Sequence, residues 1–156
     1  MSAALIAGSA ALALAAEVPQ LGAGAAHAGT EAPAHADLTV RVSGLRSDKG
    51  VLQYCVSPAG AAFPECLGTG VVSGSEAISR QAAVFTVRGL RAGDYAVAVY
   101  HDQNSSKRLD TLLGIPREGY GFSRNPGFKP RAPRFDEAAI GLSGNTDIAI
   151  SVRYLF

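Results

Sequence analysis

An alternation of apolar and polar residues with a period of two is the most regular feature of the chain, and it begins at residue 37. This period is typical of a β-strand with one buried face, because successive side chains of a strand point to opposite sides. Further segments are short apolar runs bounded by glycine, proline or other turn residues, which also indicate strands. The predicted strands are residues 38–43, 51–56, 80–87, 95–101, 138–142 and 148–154.

The segment 95–101 differs from the other predicted strands because apolar residues occupy both of its faces. A strand of this kind lies in the centre of its sheet, where both faces are covered. Residues 89–94, which precede it, contain two glycines and predict a tight turn. We expect Tyr95 either to hold this turn through its hydroxyl group, as a tyrosine corner does, or to serve as an ordinary core aromatic residue.

The fold class follows from the number of strands and the lack of helical periodicity. After residue 36, no window of helical length keeps an apolar stripe. About seven short strands separated by glycine and proline turns predict an all-β fold, an antiparallel Greek-key β-sandwich. Residues 89–99 also resemble the turn and core strand of transthyretin-like and Cna-B-like domains, which implies an immunoglobulin-like or transthyretin-like sandwich.

The first 36 residues have a different composition and are expected to be a signal peptide with an Ala-rich leader. Residues 3–16 are small or aliphatic, a run shorter than the about 20 residues that cross a bilayer. Two Ala-His-Ala sites, which end at Ala28 and Ala36, fit signal cleavage, and Ala36 is preferred. The predicted sandwich domain is then residues 37–156, periplasmic or secreted, with no transmembrane segment. The usual N-terminal positive charge is missing, so either the true start lies upstream or the signal is atypical. A disordered Ala-rich tail or an uncleaved anchor is the alternative.

Cys55 and Cys66 are the only two cysteines of the chain, with ten residues between them. In an oxidising compartment such a pair is more often a disulfide than two free thiols. A bridge of this size would stabilise the fold by roughly 3 kcal/mol in the chain-entropy treatment. The intervening residues include two prolines and a glycine, so we predict that the disulfide clips a loop. Two buried thiols are the alternative.

The charge of the chain argues against one class of partner. The formal net charge is +1, and it becomes +3 when residues 1–36, which carry two glutamates and no Lys or Arg, are set aside. This basic excess is modest, and with an exported location it predicts no nucleic-acid partner. Common hydrolase signatures and a phosphate-binding glycine loop are also missing from the sequence.

A series of motifs after the central strand carries a family resemblance. The motifs are His101-Asp102-Gln103-Asn104, Leu109-Asp110, Leu113-Gly114-Ile115-Pro116, Glu118-Gly119-Tyr120-Gly121-Phe122-Ser123 and Asn125. Together they resemble the signature of a bacterial exported family, domain of unknown function 2141, over roughly residues 37–156. The resemblance implies a secreted or periplasmic sandwich domain and no known catalytic activity.

The segment 102–110 has the spacing of a calcium-binding loop. Asp102, Asn104, Ser106 and Asp110 stand at positions 1, 3, 5 and 9, and Arg108 supplies the position-7 carbonyl. The family pattern has Asn-Gly where this chain has Ser106-Lys107, and the usual glutamate at position 12 is Leu113. Calcium takes about six to eight oxygens, so we expect no cofactor, with a weak calcium site as one reading. The other reading is a loop held by side-chain bonds to its own backbone.

Residues 111–133 form a connection longer than an ordinary sandwich loop, which predicts a functional surface. Aromatic and basic side chains alternate there. The candidate binding surface consists of Arg117, Tyr120, Phe122, Arg124, Phe128, Lys129 and Arg131. Its expected partner is a protein or glycan of the cell envelope, while an Ω-loop whose aromatic residues pack on the sandwich is the alternative.

Two functions follow from these features. The first is an exported, non-catalytic module that binds a partner or has a structural role in the cell envelope, and that carries a degenerate calcium-type loop. The second is a hydrolase-like enzyme that uses His101 with Asp102 or Asp110. His101 follows two apolar residues on the same strand face, so we expect it to close the end of the core and to bond a neighbouring loop.

Overall fold

The computed structural model describes residues 35–156, in which two β-sheets enclose one core. The elements are β1 (His35–Ser43), β2 (Val51–Pro58), β3 (Val72–Ala77), β4 (Ala83–Arg91), β5 (Gly93–Asp102), β6 (Thr111–Leu112), β7 (Ile115–Pro116), β8 (Tyr120–Phe122), α1 (Phe135–Ala138), β9 (Ile140–Leu142) and β10 (Thr146–Ser151). Residues 1–34, with most of the predicted leader and the site at Ala28, lie outside the described residues. Within residues 35–156, no helix is long and apolar enough to cross a membrane.

The first sheet has the strand order β10-β1-β4, and the second has the order β3-β2-β5-β8, with β9 paired to the beginning of β5. β5 therefore has neighbours on both sides, which confirms the prediction of a central strand. Every pair in these two sheets is antiparallel except β1 with β10, which is parallel. The all-β prediction is confirmed. The parallel pair was not foreseen, because periodicity shows which face of a strand is buried and not the direction of its partner.

The core lies between the two sheets and is built by the alternation seen in the sequence. In β1, Leu38, Val40 and Val42 are buried and the residues between them are more exposed. In β5, Val97 and Val99 point into the same core. Each such aliphatic side chain contributes about 1.5–3 kcal/mol relative to an exposed one. This burial fixes which side of the second sheet faces away from the core.

Strand β3 was missed because its sequence, Val-Ser-Gly-Ser-Glu-Ala, is largely polar. It forms an edge of the second sheet and pairs only with β2 among the described strands. A side chain at Gly74 would not fit, because its Cβ would lie 2.5 Å from the Tyr54 hydroxyl oxygen. The Tyr54 ring occupies this space and stacks on Phe85, with 3.9 Å between the ring centroids. Gly74 thus lets a core aromatic residue approach the edge strand.

The predicted turn at residues 89–94 is shorter than expected, since β4 continues to Arg91 and β5 begins at Gly93. The Tyr95 hydroxyl group donates a hydrogen bond of 3.0 Å to the carbonyl oxygen of Arg91. Tyr95 therefore holds the corner between the two strands, as a tyrosine corner does, and its ring also belongs to the core, so the two interpretations hold together.

The preferred cleavage site, Ala36, lies inside β1. Ala36 is 2% exposed, and its backbone pairs with that of Leu90 in β4. Cleavage after Ala36 would remove His35 and Ala36 from the strand, whereas cleavage after Ala28 would leave all of β1 in the mature protein.

Candidate binding groove

The outer face of the second sheet, which points away from the core, is the floor of a groove with a volume of about 850 Å³. Strand register places its side chains in two rows of three across β2, β5 and β8. The rows are Gln53, Tyr100 and Tyr120, and Cys55, Ala98 and Phe122. Side chains on one face of paired strands are direct neighbours, so the floor is mainly apolar and aromatic. This floor arises because β5 is apolar on both faces.

Three segments form the walls of the groove: residues 64–66, residues 107–116 and residues 128–132. The second includes β6 and β7, which pair as a short hairpin. Leu155 adds to the lining near the end of the chain. The walls come from parts of the sequence that are far apart, so only the folded chain brings them to one sheet face.

The disulfide between Cys55 and Cys66 ties the first wall to the floor. Its two Cα atoms are 5.9 Å apart, and Cys55 lies on the outer face of β2. The predicted pairing is thus present, and it clips a loop instead of linking the two sheets. The loop also packs through Phe63, whose ring lies 5.8 Å from that of Phe122 in an edge-to-face arrangement.

Four cationic side chains and one carboxylate line the groove. The cations are Lys107, Arg108, Lys129 and Arg131, and the carboxylate is Glu65. Within residues 35–156, Lys107 and Arg108 have no ion-pair partner. The groove therefore carries a net positive charge.

The other two cations, Lys129 and Arg131, share one carboxylate, that of Glu137. Arg131 donates to both oxygens of Glu137, at 2.7 and 3.0 Å. Hydrogen bonds from Arg131, from Lys129 and from the Arg134 backbone hold the pKa of Glu137 well below its usual range. Two positive charges facing one ionised carboxylate leave this wall positive.

Tyr100 lies in the middle of the floor, with acidic residues beyond it. Burial raises the pKa of its hydroxyl group to about 12, and the charges of Asp102, Glu118 and Asp110 add to the effect. The phenol therefore stays protonated at neutral pH. The loop that carries Lys107 and Arg108 is bonded to Asp102, so charges of both signs act at this end of the floor.

Exposed apolar side chains are concentrated around the mouth of the groove. Ile115, Phe128 and Leu155 line it and are 44%, 63% and 36% exposed. Leu112 and Leu113 belong to the same hairpin region and are 52% and 95% exposed. Exposed apolar side chains that share the lining of one groove mark an interaction site more often than isolated ones do.

The calcium-like loop is closed by hydrogen bonds among its own residues. One oxygen of Asp102 accepts the Ser106 amide proton at 2.9 Å, and the other accepts the Lys107 amide proton at 2.9 Å. Gln53 also donates to Asp102, at 3.0 Å. Asn104 donates its side-chain amide to Asp110 at 2.7 Å. These partners satisfy the buried Asp102 carboxylate, as burial of a charge requires.

The oxygens of this loop are bonded by donors of the protein itself. The Ser106 hydroxyl group donates to the carbonyl oxygen of Arg108, which is the oxygen expected at position 7. Among residues 35–156, no three His, Cys, Asp or Glu side chains are grouped so that they could hold a metal. Lys107 has a φ of 61°, the left-handed conformation that favours glycine. The loop therefore keeps the calcium-type turn while protein donors satisfy its oxygens.

Glu118 is named in a family motif, but its structural role was not predicted from the sequence. Glu118 as a residue is 6% exposed. Its carboxylate accepts hydrogen bonds from the backbone amides of Gln103 and Asp110, both at 3.1 Å. It fastens both ends of the 102–110 loop. A signal was present, since Glu118 begins the Glu118-Gly119-Tyr120-Gly121-Phe122-Ser123 motif of the family resemblance.

His101 is fully buried and both of its ring nitrogens are bonded. Nε2 donates to the carbonyl oxygen of Lys49 at 2.7 Å, and Nδ1 lies 2.6 Å from the Tyr154 hydroxyl oxygen. The same hydroxyl group accepts the Arg46 amide proton. His101 thus closes the end of the core and bonds the 47–50 turn, as expected from its position on the strand.

The predicted binding surface is only partly assembled. Tyr120, Phe122, Phe128, Lys129 and Arg131 line the groove. Arg117 and Arg124 do not, and Arg124 instead donates to the carbonyl oxygen of Asp136. Tyr120 and Phe122 belong to strand β8, which corrects the prediction of one long connection over residues 111–133.

Comparison with known proteins gives one match. A family described as an uncharacterized protein conserved in bacteria (DUF2141) matches residues 40–150. No curated protein and no solved structure matches the chain.

Proposed function

The chain belongs to the DUF2141 family of uncharacterized proteins conserved in bacteria, and on this premise we propose that it is a non-catalytic binding module of the cell envelope. The observation that carries the proposal is the groove on the outer face of the second sheet. Its volume of about 850 Å³ falls within the range of ligand sites, about 300–1,000 Å³. Its floor is apolar and its walls are cationic, a combination that a solvated sheet face does not need.

An exported location is part of the proposal, and the disulfide supports it. Disulfides persist in oxidising compartments and are rare where thiols are kept reduced. Because Ala36 is a buried residue of β1, we place the cleavage after Ala28. Mass measurement of the mature N-terminus in the periplasmic fraction tests this. A mature chain that begins at Asp37, or one retained in the cytoplasm, would contradict it.

The position of His101 supports a binding role over the hydrolase alternative. A general base must reach the substrate within hydrogen-bond distance, and His101 is fully buried, with Lys49 and Tyr154 at its two nitrogens. Asp102 is likewise buried and is committed to loop amides. Neither residue lines the groove.

The 102–110 loop is proposed to order the end of β5 without a metal. We expect the melting temperature to be the same in a chelator and in millimolar calcium, because a ligand stabilises a fold only if it binds the native state. A rise in the melting temperature with calcium, abolished by Asp110→Asn, would instead establish a cation site.

The groove itself is tested by filling it. Ala98→Trp places an indole on the floor, and Val84→Trp places the same group on an exposed position of β4 in the other sheet. Wild type and both variants are purified from the periplasm of the bacterium that encodes the chain and compared by native mass spectrometry.

We expect a bound mass on the wild type and on Val84→Trp, and its loss from Ala98→Trp. A bound mass that persists in Ala98→Trp places the ligand elsewhere. A wild type without any bound mass contradicts the proposal of a ligand site in this groove.

A further inference from the structure

On the groove floor, Cys55, Ala98 and Phe122 carry no N–H or O–H side-chain group, because Cys55 is bridged to Cys66. The Tyr100 and Tyr120 hydroxyl groups are open to a ligand, whereas the Gln53 amide is engaged within the protein. Gln53 donates to Asp102 at 3.0 Å and accepts from Ser75 at 2.6 Å. Every buried side-chain nitrogen and oxygen among residues 35–156 has a hydrogen-bond partner. Sugars are recognised through directed hydrogen bonds, since a site gains specificity from polar groups that the ligand satisfies. The floor offers a ligand apolar contact more than hydrogen bonds.

The walls supply positive charge at the edge of this apolar floor. Lys107 and Arg108 are adjacent, exposed, and without an ion-pair partner in the described part of the chain. Of the residues that the structure describes, Glu65 is the one carboxylate that lines the groove. Asp102, Asp110 and Glu118 also act on the floor, but they lie outside the lining and are hydrogen-bonded within the 102–118 segment. An apolar ligand with a negative group would meet the floor and this pair together, and a cationic ligand would not.

The exposed apolar residues at the mouth extend the same surface. Ile115 and Phe128 line the groove from two walls, and both are largely exposed. A chain longer than the floor would cover them and remove apolar surface from water, which is favourable by about 25 cal/mol per Å². Without an occupant, these side chains stay in contact with solvent.

From these three observations we infer that the groove takes a single-chain anionic amphiphile, whose chain lies along Ala98 and Phe122 and whose acidic head group pairs with Lys107 and Arg108. The inference rests on the proposed function and names its ligand class. A cationic lipid is disfavoured by the four cations of the walls, and an uncharged sugar head group is the alternative that the probes below separate.

The probes that test this are dodecanoate and dodecyl maltoside, which share the chain and differ in head-group charge, each used below its micelle concentration. Binding is measured by calorimetry on the wild type, on Lys107→Gln with Arg108→Gln, and on Ala98→Trp. The matched control is Arg41→Gln with Arg88→Gln, which removes two exposed charges from the first sheet.

We expect dodecanoate to bind the wild type and the control alike, and to bind the Lys107/Arg108 variant about tenfold more weakly. Dodecyl maltoside should bind the wild type at least about tenfold more weakly than dodecanoate. Raising the salt from about 50 mM to about 500 mM should weaken the binding of dodecanoate and not that of dodecyl maltoside, because salt screens exposed charges. Ala98→Trp should bind neither probe.

Equal binding of the two probes, or an unchanged affinity in the Lys107/Arg108 variant, would overturn the inference. Another outcome is that dodecanoate fails to bind although the bound mass seen by native mass spectrometry is lost from Ala98→Trp. In that case the proposed ligand class is wrong, and the proposal of a binding module is supported. If dodecanoate binds Ala98→Trp as well as the wild type, the amphiphile site is not this groove. If no probe binds and no native mass is found, both proposals fail.

Discussion

The two faces of the second sheet are made by the same strands and are covered in different ways. The inner face packs on the first sheet, where Leu52 and Val97 are fully buried. The outer face is covered only by loops and a hairpin, which leave a groove of about 850 Å³ over Ala98 and Phe122. The first sheet closes over the inner face, whereas the loops and the hairpin stand at the sides of the outer face and leave its middle uncovered. An apolar strand therefore does not reveal what covers it.

The same contrast separates two adjacent residues at the end of β5. His101 points to the inner face and is buried against Tyr154, while Asp102 points to the outer face and is buried under the 102–110 loop. Both are 0% exposed. Each is a polar group whose burial is compensated by specific partners, so each organises a loop instead of presenting a reactive group.

The largest expected effect is on the inner face. Leu52→Ala should lower the free energy of unfolding by about 2–5 kcal/mol, because it opens a cavity between the sheets. Val84→Ala, at an exposed position of β4, should change it by no more than about 0.5 kcal/mol. Denaturant unfolding of both variants measures this. Similar losses for the two would mean that the sheets do not form a shared core.

The next largest effect concerns the disulfide that holds residues 64–66 against the outer face. Replacing both Cys55 and Cys66 by serine should cost about 3 kcal/mol, since the cross-link no longer restricts the unfolded chain. It should also free the wall at residues 64–66 and weaken dodecanoate binding. Alkylation of the non-reduced wild type followed by mass spectrometry is the check on the bond itself. Two labelled thiols there would show that the pair is not bridged.

Asp102→Asn should have an intermediate effect, a loss of about 1–3 kcal/mol, because an amide cannot accept protons at both oxygen positions. Hydrogen exchange of the Ser106 and Lys107 amides should become faster. The control is Asp147→Asn, whose exposed ion pair with Arg41 contributes at most about 1 kcal/mol. Unchanged exchange at Ser106 and Lys107 would mean that Asp102 does not hold the loop.

The last effect is absent at neutral pH, appears only at high pH, and concerns the floor of the groove. The pKa of Tyr100 is raised from 10.0 to about 12 in the folded protein. The unfolded chain therefore loses this proton first, and stability falls as the pH rises from about 10 to about 12. Absorbance titration should show a late tyrosine step that Tyr100→Phe reduces. A Tyr100 that ionises near 10 would mean that the floor is open to solvent.

The fold was predictable to the extent that alternation encodes it. The core of β1 and the central position of β5 follow from apolar periodicity, and both are confirmed. β3 was missed because edge strands need few apolar residues, and β8 because Tyr-Gly-Phe is too short to show a period. The loop at residues 102–110 was recognised by spacing, yet its hydrogen-bond partner Glu118 lies outside that spacing.

By itself, the sequence determined the all-β class, the family, the inward faces of the long strands and the chemistry of the Cys55–Cys66 pair. These are local properties, which can be inferred from periodicity, motif order and residue type. Only the tertiary structure decided that residues 64–66, 107–116 and 128–132 meet over one sheet face. It also decided that Tyr120 and Phe122 line a groove and that Arg117 and Arg124 do not. Such placements depend on strand order and register, which arise from contacts between distant segments.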